Sequence, residues 1–187
     1  MKIDQVRILL QKFQDGYDQR DLTKLDEFMA LFAPDDELEV IGTNAVAPGK
    51  DEWCRGQQAT RELVAGDWEH WGQVTIDVEG AHICVKGDVA WLAATGTVTD
   101  TIPVEDCYAG YIDFVEGTLE EEALTKQAKM LEMVRLGTDI LLGIQEGETY
   151  VWPFRFTAVA VGSDGRWRFH QMQFSFPTTR APDVRYV

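Results

Sequence analysis

The chain has 187 residues, 45% of them hydrophobic and six of them tryptophan, which is enough for one aromatic-rich core. Seventeen basic side chains stand against 32 acidic ones, a net charge of −15. Such a surface repels nucleic acid and anionic membranes, so neither is expected as a partner.

Ile3, Val6, Leu9, Leu10, Phe13 and Tyr17 recur at helical spacing, with Asp4, Arg7, Lys12 and Asp15 elsewhere on the wheel. This predicts an amphipathic helix from about Ile3 to Gln19. A second helix is expected from Leu22 to Phe32, capped by Asp21, buried along Leu25, Phe28, Met29 and Phe32, and stopped by Pro34. Leu38–Ile41 reads as a short strand, Pro48-Gly49 as a reversal, and about Lys50 to Val64 as a third helix. After Gly66 the period becomes two. Val74, Ile76 and Val78 form one strand, Ile83 and Val85 begin its partner, and Val89–Thr99 makes a long strand after the Gly87-Asp88 turn.

Between Pro103 and Glu148 the strand rhythm is interrupted by a predicted helical insertion, residues 103–148. Thr118-Leu-Glu-Glu121 has the form of a capping box, which predicts a single helix from Thr118 to about Leu142 with Gly143 as C-cap. Leu124, Met130, Leu131, Val134 and Leu141 give it an apolar stripe, so it is expected to pack across the protein as a structural element or as a lid. The segment holds 11 acidic and three basic side chains, eight of the fifteen net negative charges.

The last elements are two strands joined by Ser163-Asp164-Gly165, a strong hairpin signal because the central turn positions favour φ > 0. Regular alternation puts Arg155, Thr157 and Val159 on one face of the first strand and Phe154, Phe156 and Ala158 on the other. On the second strand it groups Trp167, Phe169, Gln171, Gln173 and Ser175 against Arg168, His170, Met172, Phe174 and Phe176. The face mixing polar and large apolar residues is expected to line a cavity. The other, with Phe154, Phe156, Met172, Phe174 and Phe176, is expected on the outside, where so large an apolar patch calls for a homodimer partner. Helices first and antiparallel strands afterwards make an α+β layer architecture.

Two helices, a short strand, Pro-Gly, a helix and then strands resemble the SnoaL-like domains of the nuclear transport factor 2-like superfamily. The resemblance rests on Arg20-Asp21-Leu22 through Leu31-Phe32-Ala33, Val40–Thr43, Gly49–Glu52, Gly87–Trp91, and Arg155-Phe156-Thr157 with Trp167. It implies one domain over residues 1–187, with N-terminal helices packed on a curved antiparallel sheet around a conical cavity, commonly as a dimer. It also implies either a binding or association module or an isomerase, cyclase or dehydratase. The steroid isomerases of the superfamily use a first-helix tyrosine and a first-strand carboxylate. Phe13 and Ile41 stand at those positions here, with Tyr17 one turn further along.

Arg155 is the leading candidate for a ligand contact, since its guanidinium could bind a carboxylate or carbonyl in two places. Thr157, Gln171, Gln173 and Ser175 are expected beside it, with Trp53, Trp91 and Trp167 as aromatic walls. Tyr17 and Asp100 are the weak candidates for catalysis. Cys54, Cys84 and Cys107 lie far apart, and His70 and His82 lack partners at metal-ligand spacing, so neither metal nor cofactor is expected. An N-terminus charged throughout resembles neither signal peptide nor membrane span, which predicts a cytoplasmic protein. Three readings stay open: a pocket for a small hydrophobic molecule bearing a carboxylate or carbonyl, an acid–base enzyme using that pocket, and a dimeric association module.

Overall fold

A computed structural model of the chain describes residues 2–34, 36–145 and 149–177. These fall into two compact units, one built from Met1–Thr99 with Trp152–Pro177, the other from Asp100–Val151. Glu146, Gly147 and Glu148, at the end of the expected insertion, lie outside the described residues.

The first unit begins with α1 (Lys2–Gln19), whose stripe Val6, Leu9, Leu10, Phe13 and Tyr17 is buried as the periodicity predicts. Asp21 then caps a short 3₁₀ turn, Leu22–Lys24, by accepting from the Thr23 N–H, and α2 (Leu25–Met29) follows. Strands β1 (Glu39–Ile41) and β2 (Trp53–Arg55) precede α3 (Gly56–His70). The third helix thus starts later than expected and runs through Gly66, because a lone glycine only weakens a helix.

The remaining strands are β3 (Gln73–Ile76), β4 (His82–Lys86), β5 (Val89–Thr101), β6 (Thr149–Ser163) and β7 (Arg166–Ser175). Their order is β2-β1-β7-β6-β5-β3, with β4 also paired to β5. The sheet is mixed rather than purely antiparallel, since β1 runs parallel to β7 in the register Val40 to Met172. Buried Gln14 of α1 ties the helix to β3, donating to Val74 O and accepting from the Ile76 N–H at 2.7 Å. That pairing satisfies a polar group that would otherwise be costly to bury. Phe13 sits at the centre of the core, with ring centroids 5.4 Å from Phe28, 5.9 Å from Phe169 and 6.0 Å from Phe156.

The faces of the β6–β7 hairpin are the reverse of the expected ones. Phe154, Phe156, Ala158, Met172 and Phe174 are buried in the core under the helices, and Phe176 packs against its edge. Arg155, Thr157 and Gln173 are exposed on the other face, with Gln171 and Ser175 half-buried beside them. The expected outer apolar patch, and with it that argument for a dimer, is therefore the protein's own core. The alternation also breaks once. Val159 pairs with Gln171 but Ala160 pairs with Phe169, so His170 is the extra residue of a β-bulge. Past the bulge the parity changes, and Phe169 and Trp167 share the inner face with Met172 rather than with Gln171.

In the second unit the single long helix is replaced by two, α4 (Val104–Glu120) and α5 (Lys126–Gln145). Thr118 lies in the last turn of α4 and is buried, so the expected capping box does not form. The cap of the second helix is Thr125, whose Oγ1 accepts from the Ala128 N–H. Tyr111 of α4 donates to Met133 O at 3.1 Å, and Lys129 of α5 donates to Leu119 O, so the two helices form an antiparallel hairpin.

Candidate functional site

A cavity of about 220 Å³ lies within the first unit, between α1, α3 and the β1–β7 end of the sheet. Its apolar wall comes from Phe13, Phe32, Val40, Met172 and Phe174. The helical period explains why a titratable pair meets there. Tyr17 follows Phe13 by four residues on α1, and Asp67 follows Leu63 by four on α3, so each polar group follows an apolar residue that lines the cavity. The Tyr17 hydroxyl donates to Asp67 Oδ2 at 2.8 Å. The Tyr17 ring is fixed by Phe13 (4.9 Å), Phe28 (6.0 Å) and Trp68 (6.4 Å).

Burial pushes the Asp67 carboxyl up to about 6, and the nearby negative charge of Glu52 adds to that; the Tyr17 hydrogen bond and Arg20 pull the other way. Burial, with the Asp67 charge beside it, holds the Tyr17 phenol well above its ordinary value, so it stays a donor at neutral pH. Arg20 acts on Asp67 only from a distance, because its guanidinium is spent on main-chain carbonyls. It donates to Tyr17 O at 3.1 Å, to Trp71 O at 2.6 Å and to Gly72 O. These bonds join the end of α1 to the end of α3, and so set the spacing of the two elements that carry Tyr17 and Asp67.

The opposite side of the cavity is a polar loop. Glu52 accepts from the Asn44 N–H at 2.8 Å, from Asn44 Nδ2 at 3.2 Å and from Thr43 Oγ1 at 3.4 Å. Gly42 makes room for this carboxylate, since a Cβ there would stand 2.3 Å from Glu52 Oε2. Among the described residues no lysine or arginine lines the cavity, though His70 does.

Of the residues singled out in the sequence, Tyr17 lines this cavity, as do Phe13 and His70. Asp100 accepts from the Thr101 N–H. Arg155 donates to Phe176 O at 2.7 Å on the exposed sheet face that also carries Thr157, Gln171, Gln173 and Ser175. Trp91 is half exposed opposite Cys84, and Trp53 donates to Glu39 Oε1 at 2.8 Å. Trp167 lies on the inner face, donates to Gln5 Oε1 at 3.1 Å and borders a separate surface groove beside α1. Asp67 and Glu52 were missed. Asp67 lies beyond Gly66, where the third helix was expected to have ended, although the spacing Thr60, Leu63, Asp67 keeps it on the cavity side. Glu52 sits in the loop before β2, at a place expected to be helical.

Among the described residues no group of three or more His, Cys, Asp or Glu is placed to hold a metal ion, and no helix is long and apolar enough to cross a membrane.

The fold is that of proteins already solved. A proposed dehydratase of the nuclear transport factor 2-like family from Streptomyces avermitilis superposes with a TM-score of 0.56 at 12% identity, covering 95% of this chain and 97% of that one. A nuclear transport factor 2-like protein of unknown function from Pseudomonas putida gives 0.57 at 12% identity over 98% and 94%. A proposed scytalone dehydratase from Novosphingobium aromaticivorans gives 0.54 at 11% identity over 97% and 95%. No curated protein sequence matches the chain. The family model for the SnoaL-like domain matches residues 6–109, more than half of the chain, which therefore belongs to the SnoaL-like domain family.

Proposed function

We propose that the cavity is the active site of an acid–base enzyme, with Asp67 as general base, acting on a small uncharged carbonyl or hydroxycarbonyl compound. The observation that carries this reading is the half-buried Asp67 carboxyl held by the buried Tyr17 hydroxyl in an apolar-walled cavity. A carboxyl raised to about 6 is mostly ionised at neutral pH yet more basic than an ordinary carboxylate, the compromise that proton transfer favours. Tyr17 holds one carboxylate oxygen, leaving the carboxyl's other oxygen for substrate. Asp67 takes a proton from the carbon beside the carbonyl. The neutral acid then returns it to another carbon, which is isomerisation, or to a departing hydroxyl, which is dehydration.

The volume of about 220 Å³ lies below that of drug-sized sites, which favours a small substrate. Two carboxylates, with no lysine or arginine among the described lining residues, disfavour a carboxylate-bearing ligand, which the sequence had left open. Two neighbours of the same fold carry the name of proposed dehydratases, in agreement with proton-transfer chemistry.

Incubation with a panel of small ketones in deuterated water tests the reading without a known substrate. The wild-type protein is expected to catalyse exchange at the carbon beside the carbonyl, and Asp67→Asn to lose about 10²–10⁴-fold of it. Equal exchange by both proteins would remove Asp67 from the chemistry. Binding of a ketone without exchange would make the cavity a binding site alone.

A further inference from the structure

The hairpin of α4 and α5 carries more apolar surface than its own pairing covers. Tyr108 and Leu119 on α4, and Met130, Val134 and Leu141 on α5, are between 57% and 65% exposed, and Ile112 is 37% exposed. On α4, residues 108, 112, 115 and 119 follow spacings of four, three and four, the seam of a helix that packs against another helix. The side turned toward α5 is a different one. Tyr111 reaches Met133 O and stands against Gly137, and Cys107 and Thr118 are buried on the same stripe as Tyr111.

Helical geometry decides where the exposed stripes point. Each exposed stripe follows the inward one by about one residue, a rotation of about 100° in the same sense on both helices. On α4 the pairs are Tyr111 then Ile112 and Thr118 then Leu119; on α5 they are Met133 then Val134 and Ile140 then Leu141. In two antiparallel helices that face each other, equal turns taken from each N-terminus bring both stripes to one side. The six side chains therefore form one continuous face.

From their fractional exposures that face measures roughly 650 Å², above the largest patches usual on monomers and close to the roughly 800 Å² per partner of a stable complex. The charges choose the occupant. Helix α4 carries Glu105, Asp106, Asp113, Glu116 and Glu120 and no base, whereas α5 carries Lys126, Lys129 and Arg135 beside Glu132 and Asp139, with Arg135 paired to Glu132 at 3.3 Å. So acidic a face repels anionic membranes. Its apolar area is close to what a second copy would bury, and a two-fold axis that sets α4 of each chain on α5 of the other keeps the two strongly acidic helices apart.

We propose that the exposed face of the α4–α5 hairpin is a self-association surface, on which two copies of the chain join their hairpins into a four-helix bundle. The apolar stripes meet at the centre, and the acidic flank of α4 lies toward Lys126 and Lys129 at the start of α5. This surface is separate from the Asp67 cavity and does not depend on what the cavity does.

Sedimentation velocity of the full chain across the micromolar range tests the proposal. The wild type is expected to be a dimer, and Met130→Glu/Val134→Glu a monomer with association weakened at least about a hundredfold. Tyr108→Glu/Leu119→Glu does the same from the other helix. All four side chains are more than half exposed, so the variants keep the wild-type circular dichroism. Trp91→Glu, on the outer sheet face, leaves the dimer intact. A wild-type monomer, whether or not it floats with phosphatidylcholine vesicles, overturns the proposal. So does a dimer that survives both double substitutions or is lost only in Trp91→Glu.

Discussion

Asp67 is a residue the fold holds at a cost to its own stability. Its carboxyl ordinarily titrates near 3.8 and is raised to about 6 in the folded protein, so between those values the folded state binds more protons than the unfolded one. Stability from this group falls as pH rises through that window, and the full penalty is present at neutral pH. Allowing for the partial exposure of the residue, it amounts to about 1–2 kcal/mol. Asp67→Asn keeps an acceptor for Tyr17 and removes the charge. Thermal unfolding at pH 7.5 should show it more stable than wild type by that amount, with the difference vanishing near pH 4. A variant both more stable and less active is the signature of a site strained for function rather than for folding. Tyr17→Phe acts on the same group in the opposite way. The phenol hydrogen bond lowers the Asp67 value, so its removal should move the acid limb of the exchange profile, or the carboxyl band in an infrared titration, above pH 6. A profile that shifts to lower pH would mean that Tyr17 does not stabilise the ionised form.

At the scale of elements, one extra residue decides which side of the last strand is inside. With the bulge at His170, Phe169, Met172 and Phe174 all reach the core; without it, period two would put Phe169 on the opposite face from the other two. Deleting His170 removes the extra residue and leaves Phe169, Gln171 and Met172 in regular alternation, with Phe169 and Met172 still on the inner face, so it should cost no more than about 3 kcal/mol. His170→Ala leaves the bulge in place and should cost less than about 1 kcal/mol. Urea unfolding of the two variants separates the bulge from its side chain, and a deletion variant that fails to fold would show that the strand needs the bend the bulge supplies.

The same bulge marks how far the sequence could be read. The order of helices and strands was legible because apolar periodicity reports burial directly. Which face of the hairpin lined a cavity was not, because Arg155 and Gln173 among apolar neighbours look alike at a cavity wall and on an open sheet. The core took the face with the most aromatic rings. The α4–α5 turn was hidden for a different reason. Thr118 and Glu121 have the spacing of a helix start, but the tertiary pairing of Tyr111 with Met133 and Gly137 extends α4 through Thr118 and leaves the cap to Thr125. Asp67 was hidden by a glycine. Gly66 reads as an end, whereas burial of Val64 and Trp68 on either side carries α3 past it.

On the scale of the whole molecule, the chemistry and the proposed assembly belong to different parts of the chain. Every described residue lining the Asp67 cavity lies in the unit formed by Met1–Thr99 and Trp152–Pro177, whose core is continuous without the helical hairpin. The strands that the hairpin interrupts, β5 and β6, are neighbours in the sheet, so a short turn can replace it. A chain with residues 103–148 exchanged for such a turn loses 11 acidic and three basic side chains, and its net charge falls from −15 to −7. It should fold cooperatively and keep a carboxyl titrating near 6, because Tyr17, Glu52 and the apolar wall that set that value are all retained. It should also sediment as a monomer, having lost the exposed stripes of both helices. Its stability should depend less on salt than that of the full chain, since self-repulsion among like charges is what salt relieves. A collapsed protein without the carboxyl near 6 would show that the hairpin helps shape the cavity. A truncated dimer would place self-association on the sheet instead.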